Sequence, residues 1–248
     1  MASIECKSLS FSYQNKKKET DIEVFKDLNI KFESEKFNVL LGESGSGKTT
    51  LLNIISGIEN QYDGELLFDG QDAREISIRR RHISYMPQKY IIYDKMTVFD
   101  NIAFPLRFVD ITPDEVLTRV RNVAKRLGIS QCLSRRPKNL SLGQQQRMVL
   151  AKALVKDPEI ILLDEPMSSV DPLIKEELFK IIKEAKEELN ATIIFVTHNY
   201  MDAIRYGDIL YVLKDSQIVA KGTPKDLRDS KDEYLVYLKS ENVMEDIK

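Results

Sequence analysis

The sequence contains no tryptophan and only two cysteines, and neither sign of charge is in excess. Cys6 and Cys132 lie far apart and match no spacing of a metal site, so we expect reduced thiols and an intracellular protein. The 37 lysines and arginines against 39 aspartates and glutamates leave a formal net charge of −2. Because nucleic-acid-binding domains carry a basic surface, this balance argues against a nucleic-acid partner.

Long apolar runs are also missing. No stretch approaches the roughly 18 consecutive apolar residues of a membrane span, and the N-terminal residues lack the apolar core of a secretory signal. Any role at a membrane is therefore expected to depend on partner proteins. Hydrophobic residues make up 42% of the chain and charged residues 31%, which is typical of a folded globular protein. The length predicts one domain, 1–248, with a subdomain.

The sequence does contain one specific motif, a glycine-rich loop. Residues 42–49 follow the pattern G-x-x-x-x-G-K-T, between an apolar run at 37–41 and a helical segment that begins at Thr50. A glycine-rich turn directs backbone N–H groups inward, and the helix start adds a positive dipole end, so the motif predicts a polyphosphate site. Lys48 is expected to reach the β- and γ-phosphates, and Thr49 to bind Mg²⁺. The residues predicted to contact the nucleotide are Gly42, Glu43, Ser44, Gly45, Ser46, Gly47, Lys48, Thr49 and Thr50.

The remaining pattern alternates between strands and helices. The continuous apolar run at 160–163 is typical of a strand buried in a parallel sheet. Between 89 and 140 the pattern turns helical, and Thr112 is expected to cap a helix that begins at Pro113, with Glu115 completing a capping box. The predicted strands are 4–13, 28–32, 65–68, 83–86, 160–163 and 192–197, with a hairpin at 209–213 and 217–220.

Two of these strands end in residues that suit hydrolysis. Asp164 lies where a second Mg²⁺ contact is needed after a phosphate loop, and Glu165 beside it could polarise an attacking water. His198 ends the next strand and could reach the γ-phosphate. Taken alone, the acidic pair could instead cap a helix, but the phosphate loop favours the catalytic interpretation. Tyr13 could stack on a nucleotide base, although an aromatic at that place is also typical of a core or sheet edge.

With these motifs, the sequence resembles the nucleotide-binding subunits of ATP-binding cassette (ABC) transporters over nearly the whole chain. Tyr13 corresponds to the family's base-stacking aromatic, residues 42–49 to its Walker A loop, and Gln88 to its Q-loop glutamine. The other matches are 140–144 (signature motif), 161–165 (Walker B), 168–171 (D-loop) and His198 (switch histidine).

The resemblance implies an α/β P-loop NTPase with a mixed sheet core, an antiparallel β subdomain and an inserted α-helical subdomain. Residues 1–88 and 158–248 would form the RecA-like core with the antiparallel subdomain. Residues from about 89 to 157 would form the helical subdomain and carry the signature motif.

The implied activity is ATP hydrolysis with Mg²⁺ that drives a separate membrane permease. Two ATPase subunits, identical or different, would close head to tail over ATP, which binds between one subunit's phosphate loop and the other's Ser141, Gly143 and Gln144. Asp171 would contribute to the dimer contact, and Gln88 would sense Mg²⁺ and the γ-phosphate. The resemblance places the protein peripherally on the cytoplasmic face of the membrane, with permease subunits as partners and, for an importer, a solute-binding protein.

Two features depart from the family pattern. Leu142 occupies a position of the signature motif that is usually glycine, and we hypothesise that it weakens the closed dimer without abolishing hydrolysis. Residues 93–106 and 136–140 are similar to sugar and polyamine importers. Those importers commonly carry a C-terminal regulatory domain, for which this chain is expected to be too short.

Three alternatives remain at this stage. The first is a soluble ABC-type ATPase of an assembly machine, such as iron–sulfur cluster biogenesis. The second, a DNA-repair or translation protein, would require coiled-coil insertions, tandem cassettes or a basic stripe. The third is an inactive binding subunit paired with a better catalytic partner, and Leu142 keeps it open.

Overall fold

The computed structural model describes residues 3–14, 21–89, 91–166 and 172–245, and it contains two β-sheets. The smaller sheet has four antiparallel strands in the order β2–β1–β4–β5. These strands are β1 (Ile4–Tyr13), β2 (Ile22–Phe32), β4 (Asp63–Phe68) and β5 (Gln71–Asp72).

The larger sheet has six strands in the order β10–β9–β3–β8–β7–β6. The strands from β9 to β6 pair in parallel, and β10 pairs antiparallel with β9, so the sheet is mixed as predicted. The strands are β3 (Phe37–Leu41), β6 (Ile83–Met86), β7 (Ile160–Asp164), β8 (Thr192–Thr197), β9 (Ile209–Lys214) and β10 (Gln217–Gly222).

Eight α-helices complete the described part of the chain, together with four short 3₁₀ turns. The helices are α1 (Lys48–Ser56), α2 (Val98–Ala103), α3 (Pro113–Arg126), α4 (Leu142–Leu154), α5 (Pro172–Leu189), α6 (Tyr200–Tyr206), α7 (Pro224–Asp229) and α8 (Glu233–Glu245). Within the described ranges, none of them combines the length and the apolar character that crossing a membrane requires. The predicted α/β class, with a mixed sheet and a separate antiparallel sheet, is confirmed.

The buried strands of the larger sheet separate two apolar cores. Because successive side chains of a strand point to opposite faces, Leu162 packs towards α1 and the smaller sheet, while its neighbours Ile161 and Leu163 pack towards the helices on the other face. Both faces of the central strands are therefore covered, which explains why these strands read as continuous apolar runs.

The structure differs from the sequence-based prediction in three local details. Strand β2 begins at Ile22 rather than near residue 28, because Phe25 anchors its first half in the core. Helix α6 was not predicted, since it is too short to display a clear period. Thr112 caps α3 as expected, but the Glu115 carboxylate accepts a hydrogen bond from Arg119 at 2.8 Å instead of completing the capping box.

Candidate functional site

The glycine-rich loop connects the end of β3 to the start of α1 and has little room for side chains. Gly45 and Gly47 have φ angles of +83° and +98°, which side chains rarely tolerate. A Cβ atom on Gly42 would lie 2.6 Å from the Leu213 carbonyl oxygen, and one on Gly47 would lie 2.8 Å from the Phe25 ring. Close packing therefore requires glycine at positions 42 and 47, and the positive φ angle favours it at 45 and 47.

Lys48 is the first residue of α1, and its side chain folds back into the loop. Its Nζ donates hydrogen bonds to the carbonyl oxygens of Gly42 at 2.8 Å and Glu43 at 2.7 Å. The residue is only 5% exposed. Burial lowers the pKa of the Lys48 ammonium group, and the nearby carboxylates of Glu165, Asp164 and Glu43 act in the opposite direction.

Asp164 ends β7 and faces the same helix. It is 2% exposed, and its Oδ1 accepts a hydrogen bond from the Thr49 hydroxyl at 3.0 Å. Burial raises the pKa of the Asp164 carboxyl, whereas its hydrogen bonds from Thr49 and Tyr85 oppose that rise. The structure thus brings together Thr49 and Asp164, two of the three residues predicted to contact the cation, while the third, Gln88, contacts Glu165.

Glu165 directly follows Asp164, and its carboxylate contacts residues that follow the ends of two other strands. Its Oε1 lies 2.9 Å from His198 Nδ1, and its Oε2 accepts a hydrogen bond from Gln88 Nε2 at 3.2 Å. The backbone of Glu165 has a φ of +44°, and its N–H donates to the Val196 carbonyl at 3.1 Å. The hydrogen bond with His198 lowers the pKa of the Glu165 carboxyl, which keeps it ionised and able to accept a proton.

This cluster forms because three neighbouring parallel strands end at one edge of the sheet. Strands β6, β7 and β8 are adjacent, and Gln88, Glu165 and His198 each follow the end of one of them. The loop after β3 opens at the same edge, since β3 pairs in parallel with β8. Ligand sites of open α/β sheets lie at such carboxyl ends.

Tyr13 lies at the end of β1, beside the start of α1. Its hydroxyl is 3.3 Å from the Thr50 Oγ1, and its ring meets the Phe11 ring edge-on at 4.8 Å between centroids. Tyr13 remains 36% exposed. An aromatic surface is therefore available beside the phosphate loop, as base stacking would require.

The predicted signature residues lie apart from this cluster. The Ser141 hydroxyl caps α4 by accepting a hydrogen bond from the Gln144 N–H at 3.3 Å, and the Gln144 side chain accepts one from the Ser141 N–H at 3.2 Å. Gly143 follows Leu142 in the first turn, where Leu142 is 62% exposed. In the described part of the chain, no hydrogen bond joins Ser141 or Gln144 to the phosphate loop. The D-loop prediction at 168–171, including Asp171, lies outside the described residues.

The sequence-based prediction did not include Tyr85 and Asn53. The Tyr85 hydroxyl lies 3.2 Å from Asp164 Oδ2 and 3.1 Å from Asn53 Oδ1. Burial and the Asp164 carboxylate raise the pKa of the Tyr85 phenol, so the hydroxyl keeps its proton. The pairing of β6 with β7 could have indicated this contact, but strand pairing is not visible in the sequence.

A glycine loop that leads into Lys48 and Thr49, with acidic residues at the end of another strand of the same sheet, defines a P-loop nucleoside triphosphatase. A family model described as ABC transporter matches residues 25–168. The chain therefore belongs to the ABC transporter family. This result confirms the predicted family and the predicted ATP hydrolysis coupled to transport.

Three relatives illustrate the relationship. The chain is 40% identical over 232 residues to the molybdate/tungstate import ATP-binding protein WtpC of Pyrococcus horikoshii, and the match covers 92% of this chain and 67% of that protein. It resembles cbiO1 of Clostridium perfringens, part of the ABC transporter complex cbiONQ, with a TM-score of 0.81, 28% identity and coverage of 95% and 93% of the two chains. The dimeric structure of MJ0796, a bacterial ABC transporter cassette, gives a TM-score of 0.79 at 28% identity and covers 89% of this chain and 98% of that one.

As an ABC transporter ATPase, the chain binds and hydrolyses ATP and energises a separate permease. These relationships favour transport over the assembly-machine alternative. They also support the fold prediction, since both solved structures cover most of the chain.

Proposed function

We propose that this chain is the ATPase of an importer and that it hydrolyses Mg²⁺-ATP with the residues gathered at the carboxyl edge of β6, β7 and β8. The observation that carries the proposal is the convergence of Thr49 on Asp164 and of His198 on Glu165, at 3.0 and 2.9 Å. Import is inferred from the 40% identity to a protein named for import.

The residues present fit a magnesium ion bound together with the nucleotide. A buried carboxylate next to a hydroxyl, Asp164 beside Thr49, supplies the hard oxygen ligands that Mg²⁺ prefers. Gln88 adds an amide group within reach of the same edge. When bound, the cation neutralises developing charge on the transferred phosphoryl group.

Glu165 is assigned the role of general base. Its carboxylate is ionised and is held from both sides by Gln88 and His198, so it is oriented to accept a proton from water. His198 positions this carboxylate and stabilises charge on the γ-phosphate. Lys48 exchanges its loop carbonyls for phosphate oxygens when the nucleotide binds, which stabilises the added negative charge.

The remaining nucleotide contacts are assigned to a second ATPase subunit. Ser141, Gly143 and Gln144 form the N-terminal end of α4, whose positive dipole suits a phosphate. Since no hydrogen bond in the described part of the chain links these residues to their own phosphate loop, we place them against the nucleotide held by the other subunit. Asp171 is assigned to the same subunit contact, residues 89–157 to the helical subdomain, and Tyr13 to the nucleotide base.

The chain is placed peripherally on the cytoplasmic face of the membrane, with transmembrane permease subunits and a solute-binding protein as the proposed partners. The roles assigned to the described residues all concern ATP binding and hydrolysis, and none of these residues is assigned to binding the solute. The relative named for molybdate and tungstate makes these oxyanions the first solutes to test, ahead of the sugars and polyamines suggested by 93–106 and 136–140.

Isolation of the protein from its native membranes in mild detergent tests the transport assignment. We expect polytopic membrane proteins to copurify in stoichiometric amounts, and a solute-binding protein that copurifies can then be titrated with molybdate, tungstate, sugars and polyamines. Recovery of soluble partners alone, with none of the chain in the membrane fraction, would instead favour the assembly ATPase.

Replacement of Leu142 by glycine is expected to raise ATP-dependent dimer formation and hydrolysis by several-fold. The Leu142 side chain is exposed at the start of α4, so the other subunit's nucleotide must accommodate it on closure. Size-exclusion chromatography with ATP and a phosphate-release assay measure the two effects. Met201→Gly is a control at another exposed apolar helix position, and an unchanged dimer fraction in Leu142→Gly would contradict the hypothesis.

A further inference from the structure

Three side chains, those of Thr49, Asn53 and Tyr85, connect Asp164 to helix α1. Thr49 and Asn53 lie one helical turn apart on α1, so both face the sheet on the same side of the helix. Thr49 contacts Asp164 Oδ1 at 3.0 Å, while Asn53 contacts the Tyr85 hydroxyl at 3.1 Å, and that hydroxyl reaches Asp164 Oδ2 at 3.2 Å. The two oxygens of the carboxylate are thus held by different elements.

The pairing of the strands explains why Tyr85 reaches Asp164. Tyr85 is the register partner of Leu162 in the parallel pair β6–β7. Side chains of register partners point to the same face, and Asp164 points to that face too because it is two residues beyond Leu162. Helix α1 packs against both strands on this face, which brings Asn53 to the same hydroxyl.

The proton count then fixes the direction of the hydrogen bonds. A tyrosine hydroxyl has one proton, and a carboxylate can only accept. If the proton goes to Asp164, the Tyr85 oxygen is left as an acceptor. Asn53 then completes the chain once its amide, whose Oδ1 faces the hydroxyl in this structure, is turned over to present Nδ2. The result is a donor sequence from Asn53 to Tyr85 to Asp164, in which each bond polarises the next.

We propose that Tyr85, oriented by Asn53, is a positioning residue that fixes the Asp164 carboxylate for Mg²⁺. The proposal rests on the proposed function, since it concerns the cation that accompanies the nucleotide. Rotation about the Cβ–carboxyl bond of an aspartate is otherwise only weakly restricted. By holding Oδ2, the Tyr85 hydroxyl keeps Oδ1 directed at Thr49, the other residue assigned to the cation.

Replacement of Tyr85 by phenylalanine tests this role, because it removes the hydroxyl and keeps the ring. Calorimetric titration with AMP-PNP, a non-hydrolysable ATP analogue, is carried out once in EDTA and once in Mg²⁺. The dissociation constant in EDTA divided by the dissociation constant in Mg²⁺ reports how much the cation strengthens nucleotide binding. We expect Tyr85→Phe to reduce this ratio by about tenfold, the lower end of what loss of an outer-shell partner costs, and to leave the affinity in EDTA within about twofold.

Two further variants complete the design. Asn53→Ala should reduce the ratio in the same direction by a smaller factor, because it only loosens the Tyr85 hydroxyl. Tyr211→Phe is the matched control, since Tyr211 is a buried tyrosine whose hydroxyl donates to the Lys31 carbonyl at 2.6 Å, away from the cluster. It should keep the wild-type ratio.

The outcomes separate this proposal from the proposed function. A wild-type ratio in Tyr85→Phe, or an equal loss of affinity with and without Mg²⁺, would overturn the positioning role. A wild-type protein that binds AMP-PNP no better with Mg²⁺ than with EDTA would instead overturn the proposed cation site, and the inference with it.

Discussion

Glu165→Gln is expected to lower the rate of ATP hydrolysis by about 10³-fold while ATP still binds. Glutamine retains the size of glutamate and still forms hydrogen bonds, but it cannot accept the proton of an attacking water. General-base catalysis contributes about 10²- to 10⁴-fold to such reactions. His198 and Gln88 can still hold the substituted side chain, so the fold of the site should persist. ATP should then accumulate in a closed dimer that size-exclusion chromatography resolves from the monomer.

Glu159→Gln is the matched control. Glu159 directly precedes β7, whereas Glu165 directly follows it, so the two glutamates flank opposite ends of one strand. The Glu159 carboxylate lies near the exposed His82 and away from the phosphate loop. This variant should hydrolyse ATP at the wild-type rate. Comparable rates for Glu165→Gln and Glu159→Gln would remove Glu165 from its assigned role.

Lys48→Met is expected to weaken ATP binding by about 100-fold and to reduce hydrolysis below detection. The variant loses charged hydrogen bonds to the β- and γ-phosphates, each of which contributes about 1.5–3 kcal/mol. It also leaves the carbonyls of Gly42 and Glu43 without the donor they have in this structure. Equilibrium binding of a fluorescent ATP analogue and phosphate release measure the two effects separately.

A second lysine controls for loss of packing. Lys152 in α4 is also partly buried, and its Nζ donates to the Ile91 carbonyl at 3.0 Å. Burial lowers the pKa of Lys152 as it does for Lys48, yet within the described ranges Lys152 has no carboxylate or phosphate-loop partner of the kind Lys48 has. Lys152→Met should bind ATP normally. If both variants lost affinity equally, a general loss of packing rather than phosphate recognition would account for the result.

Local sequence patterns determined a large part of this fold. Strands β7 and β8 were predicted within one residue of their bounds, because both are buried on two faces and therefore consist of uninterrupted apolar residues. The phosphate loop was predicted because its chemistry depends on adjacent residues, from Gly42 to Thr49. The start of α3 at Pro113, capped by Thr112, was predicted because a helix cap is a local interaction.

What the sequence by itself determined, then, was set mostly by near neighbours along the chain: the phosphate loop, the buried strands and the Thr112 helix cap. It also showed the order of the family motifs. Only the tertiary structure decided which strand ends meet. The contacts of Gln88 and His198 with Glu165 join residues 77 and 33 positions apart, and the contact of Tyr85 with Asp164 joins residues 79 positions apart. Such contacts depend on strand order and register. These are set by how the whole sheet packs against the elements on its two faces, and not by any local pattern.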